Sequence, residues 1–229
     1  MEGNEIMNQY PKINGLYKRY LEGAKKGKFI IGEYSKPEFE FLKDLQWVWT
    51  EKIDGTNIRV CYYTCPLCYP EIEFKGKTDK ADVPKHLLEK LQQLFPLEKM
   101  KEIFGMGDEL PDVCLYGEGY GYKIQTGGKY VNGEKRVEFI LFDIKIGNYW
   151  LKREDLEKIA DQLGIGIVPI IGETTIDCAI SSIKKGVYST FGDFIAEGVV
   201  GKLKYELRDR RGYRIITKIK TKDFKGEIK

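Results

Sequence analysis

The chain of 229 residues contains a single histidine, His86, and that scarcity closes off much ordinary enzyme chemistry. A Ser-His-Asp triad or a histidine-rich metal site needs imidazoles that this sequence lacks. His86 itself stands beside Leu87 in "PKHLLEKLQQLF", where it reads as one residue of a helix. The five cysteines (Cys61, Cys65, Cys68, Cys114, Cys178) are odd in number and without framework spacing, which argues against disulfides and for a reducing compartment. "CPLC" at 65–68 has the spacing of a zinc-ligand pair, but no second pair follows, and it reads as a hairpin tip with two thiols. Apolar runs such as "FILF" at 139–142 fall far short of the roughly 20 residues a membrane helix needs. The polar, partly acidic start "MEGNEIMNQYPKI" is wrong for a secretory signal. No heptad run, internal repeat or Walker-type phosphate loop occurs. "GEGYG" at 117–121 lacks both the G-x-G-x-x-G spacing and a following helix. These absences lead to the expectation of a cytoplasmic protein with no membrane partner.

What is present suffices for a sizeable core: 42% of residues are hydrophobic and 32% charged. The net charge of +3 conceals an asymmetry. From Lys202 to Lys229 eleven Lys or Arg face four Asp or Glu, a balance of +7, which leaves −4 for the first 201 residues. A basic C-terminal segment suggests a phosphate-bearing partner. Strand signals fall at about 46–53, 57–64, 71–76, 113–118, 137–146, 196–204 and 213–222, the last two separated by the turn "RDRRG". Helical spacing marks 84–95, 153–164 and 174–186. Strands and helices mix without strict alternation, so the expected class is α+β with largely antiparallel sheets flanked by helices. About 45 residues are expected to precede the first strand.

With histidine scarce and no activated serine or cysteine in view, the candidate nucleophile is a lysine. A free lysine amine has a pKa near 10.4, so only about one in a thousand is neutral at physiological pH. Burial or neighbouring cations must favour the neutral form by roughly three pH units. "WTEKIDGTNIRV" at 49–60 sets Lys52 two residues before Asp54 and in front of Gly55, within a strand-like run. On local grammar alone this is a hairpin turn flanked by charges. Lys218 and Lys220 alternate on one face of the last strand and would be suitable cationic neighbours and phosphate ligands. Glu118 in "YGEG" and Glu197 in "AEGVV" are lone carboxylates in glycine-marked strands, fit for a ribose hydroxyl and a metal ion.

Taken in order, these segments resemble the covalent nucleotidyltransferases, the superfamily of ATP-dependent ligases and capping enzymes. The likeness is greatest to RNA ligases of the RNA ligase 2 type and their phage relatives. "EKIDGTN" matches the nucleophile motif and "LYGEGYG" the strand with the ribose-binding glutamate. "EFILFDI" matches the strand whose aromatic covers the adenine, "AEGVV" the metal-contacting glutamate, and "TKIKTKDF" the closing lysine pair. The five span residues 51–224 in the family's order. The resemblance implies that Lys52 attacks the α-phosphorus of ATP and that Glu51 and Phe139 lie at the adenine. It also implies that Asp54, Gly55 and Asn57 line the nucleotide site, that Glu118 binds ribose, and that Glu197 engages Mg2+ or Mn2+. Lys218 and Lys220 would grip the α-phosphate.

Two departures bear on substrate. Where DNA ligases and capping enzymes often carry arginine soon after K-x-D-G, this chain has Asn57, as RNA ligases do, and the resemblance thus favours RNA with a 3′-hydroxyl and a 5′-phosphate. Lys77 in "GKTD" stands where many relatives place a phosphate-contacting arginine, so the charge is kept but the bidentate fork is lost. The expected organisation is one nucleotidyltransferase domain over 1–229 without a separate C-terminal oligonucleotide-binding domain. Such a fold on another chain, acting as an RNA-binding partner, stays open, as does the oligomeric state. A DNA ligase, a GTP-dependent capping-type enzyme and a non-catalytic nucleotide- or RNA-binding module are the alternatives.

Overall fold

The structure is a computed structural model that describes residues 9–65, 68–105 and 111–224, with only the main chain of Cys65 and Cys68. The thiols of the "CPLC" pair therefore lie outside the described residues. In chain order, β1 (Asn14–Gly15), β2 (Tyr17–Arg19), β3 (Phe29–Tyr34), α1 (Pro37–Phe41) and β4 (Trp47–Glu51) come first. They are followed by β5 (Thr56–Cys65), β6 (Cys68–Lys75), α2 (Lys85–Leu94), α3 (Leu97–Phe104), β7 (Val113–Gly121), β8 (Val137–Ile146), β9 (Tyr149–Trp150), α4 (Arg153–Leu163) and β10 (Gly166–Ile167). The chain then makes β11 (Ile170–Thr174), α5 (Ile176–Lys185), β12 (Gly198–Leu203) and β13 (Ile216–Lys220).

Two compact units result. One comprises residues up to Pro11 together with Asp54–Val168, and the other comprises Lys12–Ile53 together with Pro169–Lys229. The chain passes from one to the other immediately after Lys52 and Ile53, inside the nucleophile motif.

The first unit is built on a sheet of order β10-β8-β7-β5-β6, with β9 added to β8. Its central strands are buried on both faces, β7 at every position but Glu118, with Cys61, Cys114 and Tyr116 packed together on the side away from the helices. Ile58, Val60 and Tyr62 of β5 point into the core with Leu115 of β7 and Phe139 and Leu141 of β8. Helices cover that face. α2 buries Leu87 and Leu91 at helical spacing, and α4 buries Leu156, Ala160 and Leu163. Gly164 ends α4 in the left-handed conformation, the backbone shape that favours glycine.

The second unit has a sheet of order β1-β13-β12-β4-β11, and β2 pairs with β3 in a separate ribbon. Trp47 and Trp49 anchor its core from one face of β4, stacked with ring centroids 6.0 Å apart. Removing either indole would cost roughly 3–5 kcal/mol. α5 packs Ile176, Ala179, Ile180 and Ile183 onto this core, and Thr175 caps its start by accepting a hydrogen bond from the Cys178 N–H. Gly201 faces Trp49 across β12 and β4, where any side chain would overlap the indole.

The class is α+β, and its pairings are antiparallel except for β1 with β13 and β10 with β8. The sequence reading starts its first strand near residue 46. The structure instead places three short strands and a helix before it, with β1 lying parallel to the lysine-bearing strand β13. No described helix is long and apolar enough to cross a membrane.

Candidate active site

The candidate residues form two groups, one in each unit. In the second unit, β4 delivers Lys52 to the start of β12. The Lys52 N–H donates to the Gly198 carbonyl at 2.9 Å, just past Glu197. Glu197 is fixed from its other side, because the Thr221 N–H donates to its carbonyl at 2.9 Å. Gly198 has to be glycine, since a Cβ there would run into the Ile219 carbonyl of the neighbouring strand. The outcome is a bridged triplet. Glu197 Oε2 accepts from Lys52 Nζ at 2.6 Å, and Glu197 Oε1 accepts from Lys220 Nζ at 2.6 Å.

All three side chains are partly buried, at 21%, 15% and 22% exposed for Lys52, Glu197 and Lys220, so water does not fully screen the pairs. Lys218 and Lys220 alternate with buried Thr217 and Ile219 along β13, which puts both lysines on one face as their spacing suggests. The immediate partner of the Lys52 ammonium is therefore a carboxylate rather than another cation. Glu197 is also the carboxylate available to a divalent ion. Mg2+ takes one or two carboxylates, its remaining ligands coming from phosphate oxygens and water. Glu197 supplies one such carboxylate, and in this structure both its oxygens are engaged by ammonium groups.

Glu51 behaves otherwise than the resemblance implies. It is 1% exposed, and its carboxylate is fully engaged by the 189–190 loop. Oε1 accepts from Ser189 Oγ at 2.5 Å, while Oε2 accepts from the Thr190 N–H at 2.9 Å and from Thr190 Oγ1 at 2.8 Å. Its side chain is thus a buried strut that ties β4 to this loop, not a free contact for adenine.

In the first unit, Gly55 packs so closely on β7 that a side chain would drive into the Gly119 carbonyl and Cγ of Glu118. Asp54 accepts a hydrogen bond from Thr126 Oγ1. Asn57 and Glu118 lie directly opposite each other on β5 and β7. Asn57 Oδ1 is buried and has no hydrogen-bond partner among the described residues. The buried Asn57 oxygen is an acceptor awaiting a donor, which a sugar hydroxyl would supply.

Phe139 also departs from its expected role. Its ring is 2% exposed, sits over Gly117 and meets Phe95 edge-on at 5.3 Å. A base cannot stack on it there, because its face is already covered by the core.

Lys77 is exposed on the turn after β6. That turn is held by Arg59, a fully buried residue that the sequence reading passed over. Arg59 Nε donates to the Gly76 carbonyl at 2.8 Å and Nη2 to Asp79 Oδ1 at 2.6 Å, while Gln9 Nε2 donates to Asp79 Oδ2 at 2.8 Å. The Arg59 hydrogen bond, followed by that of Gln9, holds the Asp79 carboxyl below its ordinary pKa. A signal was available in "NIRVCYY", since a charge on an otherwise buried strand needs a partner.

A family model described as RNA ligase matches residues 45–220. The chain belongs to the RNA ligase family. Solved structures of a Naegleria gruberi RNA ligase share the fold. A mutant with ATP and manganese is 16% identical with a TM-score of 0.60, the alignment covering 96% of this chain and 61% of that one. The same ligase with pyrophosphate gives 17%, 0.59, 95% and 63%, and a mutant with AMP and manganese gives 17%, 0.58, 94% and 62%. The RNA ligase chain described here thus spans about three fifths of the length of those proteins. Among curated proteins no sequence matches it.

Proposed function

We propose that the chain is an ATP-dependent RNA ligase, joining a 3′-hydroxyl to a 5′-phosphate through a lysyl-AMP intermediate. The observation that carries this reading is the Glu197 carboxylate bridging Lys52 and Lys220 at 2.6 Å on each side. It holds the candidate nucleophile beside a second cation and a carboxylate that a divalent ion could use, as adenylylation requires.

In the first step the Lys52 amine, its proton given up to solvent, attacks the α-phosphorus of ATP. The phosphorus–nitrogen bond forms, the bond to the bridging oxygen breaks, and pyrophosphate leaves. Lys218 and Lys220 stabilise the charge that builds on the α-phosphate. Glu197 would hold Mg2+ or Mn2+, which when bound offsets the negative charge of the triphosphate. Glu118 and the unpartnered Asn57 oxygen receive ribose hydroxyls. In the second step an oxygen of the RNA 5′-phosphate attacks the same α-phosphorus, and Lys52 leaves and regains a proton. In the third, the 3′-hydroxyl attacks the activated 5′-phosphorus, AMP departs and the strand is sealed.

We assign both units to this one activity, as a single nucleotidyltransferase domain. Free thiols at Cys61, Cys114 and Cys178 suit a reducing, cytoplasmic setting. Incubation with labelled ATP or GTP and magnesium, followed by peptide mapping, tests the first step: label from ATP on Lys52 is expected, and label from GTP alone or at another residue would overturn it. Nicked duplexes differing only in the sugar of the two terminal 3′ nucleotides test the substrate. Equal sealing of the all-DNA nick would make the enzyme a DNA ligase.

A further inference from the structure

Between β12 and β13 the chain runs "KYELRDRRGYR", residues 204–214, and this excursion is more ordered than its composition suggests. Arg208 and Arg214 face each other in an isolated bridge. The Asp209 N–H donates to the Tyr213 carbonyl at 2.8 Å, and the Gly212 N–H donates to the Asp209 carbonyl at 2.8 Å. Asp209 Oδ1 accepts from the Arg211 and Tyr213 N–H groups at 3.0 Å each, and Oδ2 pairs with Lys36 Nζ at 3.2 Å. The carboxylate at the centre of the turn is only 9% exposed. The tip is fixed before any ligand arrives.

The charges on this hairpin are sorted. Glu206 is shared between Arg208 and Arg214, one carboxylate oxygen to each at 2.8 Å. Asp209 is consumed by the turn and by Lys36. Among the described residues neither Arg210 nor Arg211 has an ion-pair partner, and both are exposed. Beside them stand Tyr205 and Tyr213, 77% and 57% exposed. An internally neutral turn would leave no such pair of free guanidinium groups, and an ordinary solvated turn has no use for two large exposed rings.

Phosphate groups answer the arginines, and unstacked bases answer the tyrosines. A polymer that offers both at short intervals is single-stranded nucleic acid, bound by charge along its backbone and by stacking on its bases. A duplex offers the phosphates but keeps its base faces against one another. The hairpin lies on the two strands that carry the lysine pair and the Glu197 neighbourhood. Four residues of extended chain, ~13 Å, separate Arg214 from Lys218.

We infer that the 204–214 hairpin is a binding surface for a single-stranded stretch of RNA, with Arg210 and Arg211 on its phosphates and Tyr205 and Tyr213 on its bases. The inference rests on the ligase reading only for the choice of RNA as the polymer. Arg208 and Arg214 are left out of the surface because they already share Glu206.

The test titrates the full chain, without ATP, against a fluorescent single-stranded RNA and a duplex of equal length over a range of salt. The parent is expected to bind the single strand more tightly. R210Q/R211Q should weaken binding and lower the slope of log K against log salt by about 1.4. Y205L/Y213L should weaken single-strand binding by about tenfold while leaving both the salt slope and duplex binding unchanged. Melting temperatures of both variants should match the parent, as all four side chains project into solvent. Duplex bound as tightly as single strand, or loss in the arginine variant alone, would reduce the surface to a phosphate patch and overturn the proposal. So would indifference of both variants. Self-labelling by ATP, measured on the same proteins, keeps the two readings apart: a parent that never labels but binds single strands in this pattern refutes the ligase and leaves the hairpin assignment standing.

Discussion

Glu197 grips Lys52 with one carboxylate oxygen and Lys220 with the other, each at 2.6 Å, so the proposed nucleophile is held in an ion pair. An ammonium in such a pair has no lone pair with which to attack phosphorus. For the proposed adenylylation this arrangement is a starting point: the lysines would have to exchange the carboxylate for phosphate before Lys52 could attack.

Lys52→Ala is expected to abolish covalent labelling from ATP while the protein keeps its melting temperature within a few degrees. Glu197→Ala, Lys218→Ala and Lys220→Ala should each slow labelling by about 10²- to 10³-fold, because each removes charge stabilisation close to the reacting phosphate. Labelling rates on purified variants decide the matter. An alanine at 52 that still labels, or one at 197 that labels at the parental rate, would break the proposed division of labour.

Glu51 separates a structural role from a nucleotide contact. Its carboxylate accepts three hydrogen bonds in a buried site, so Glu51→Ala strands the Ser189 and Thr190 donors. The expected cost is about 3 kcal/mol, seen as a lower urea midpoint. The KM for ATP should stay near the parental value under conditions where the variant is folded. A raised KM with unchanged stability would return Glu51 to the adenine.

Much of this arrangement was legible in the sequence, for identifiable reasons. Lys218 and Lys220 could be put on one face because strand periodicity fixes the faces of alternate residues. The helices α2, α4 and α5 announced themselves through apolar spacing and through turn residues such as Pro84 and Gly164. β1, β2 and β3 did not, because strands of two to six residues carry too little pattern, and β1 depends on its distant partner β13. The surroundings of Glu51 and Phe139 were hidden for a related reason: a motif places a residue near a ligand but does not say which way its side chain is satisfied. Ser189 and Thr190, which decide the matter for Glu51, lie 138 and 139 residues away along the chain. Arg59 was overlooked because its neighbours in the motif drew the reading toward Asn57.

Phe139 is expected to act through packing. Phe139→Ala should cost about 3–5 kcal/mol, since the ring fills the space over Gly117 and meets Phe95 in the core. Phe139→Leu should retain most of the stability and an ATP KM within a few-fold of the parent. Chemical denaturation and labelling kinetics on the two variants check it. A leucine variant as stable as the parent but with a KM raised tenfold or more would mean that the ring does reach the base.

Asp79 supplies a pH signature for the turn that carries Lys77. Its carboxyl is held below the ordinary value of 3.8 by the Arg59 and Gln9 hydrogen bonds, so its ionised form is favoured in the folded protein. A carboxyl with a depressed folded pKa stabilises the fold at pH values above its unfolded pKa, and that contribution disappears as pH falls through the folded one. Asp79→Asn removes the charge at every pH and leaves buried Arg59 without its counter-ion. The variant should therefore melt below the parent at neutral pH, and the gap should close as pH drops beneath the ordinary carboxylate value. Lys77→Arg, on the same turn, should leave stability untouched and sealing equal or better, because the guanidinium fork restores bidentate phosphate contact. Melting curves of parent and Asp79→Asn from neutral pH down to about 3 measure the gap directly. A gap that stays constant over that range would show that the ionised carboxylate does not hold the turn, and a severe sealing loss in Lys77→Arg would show that Lys77 does something other than bind phosphate.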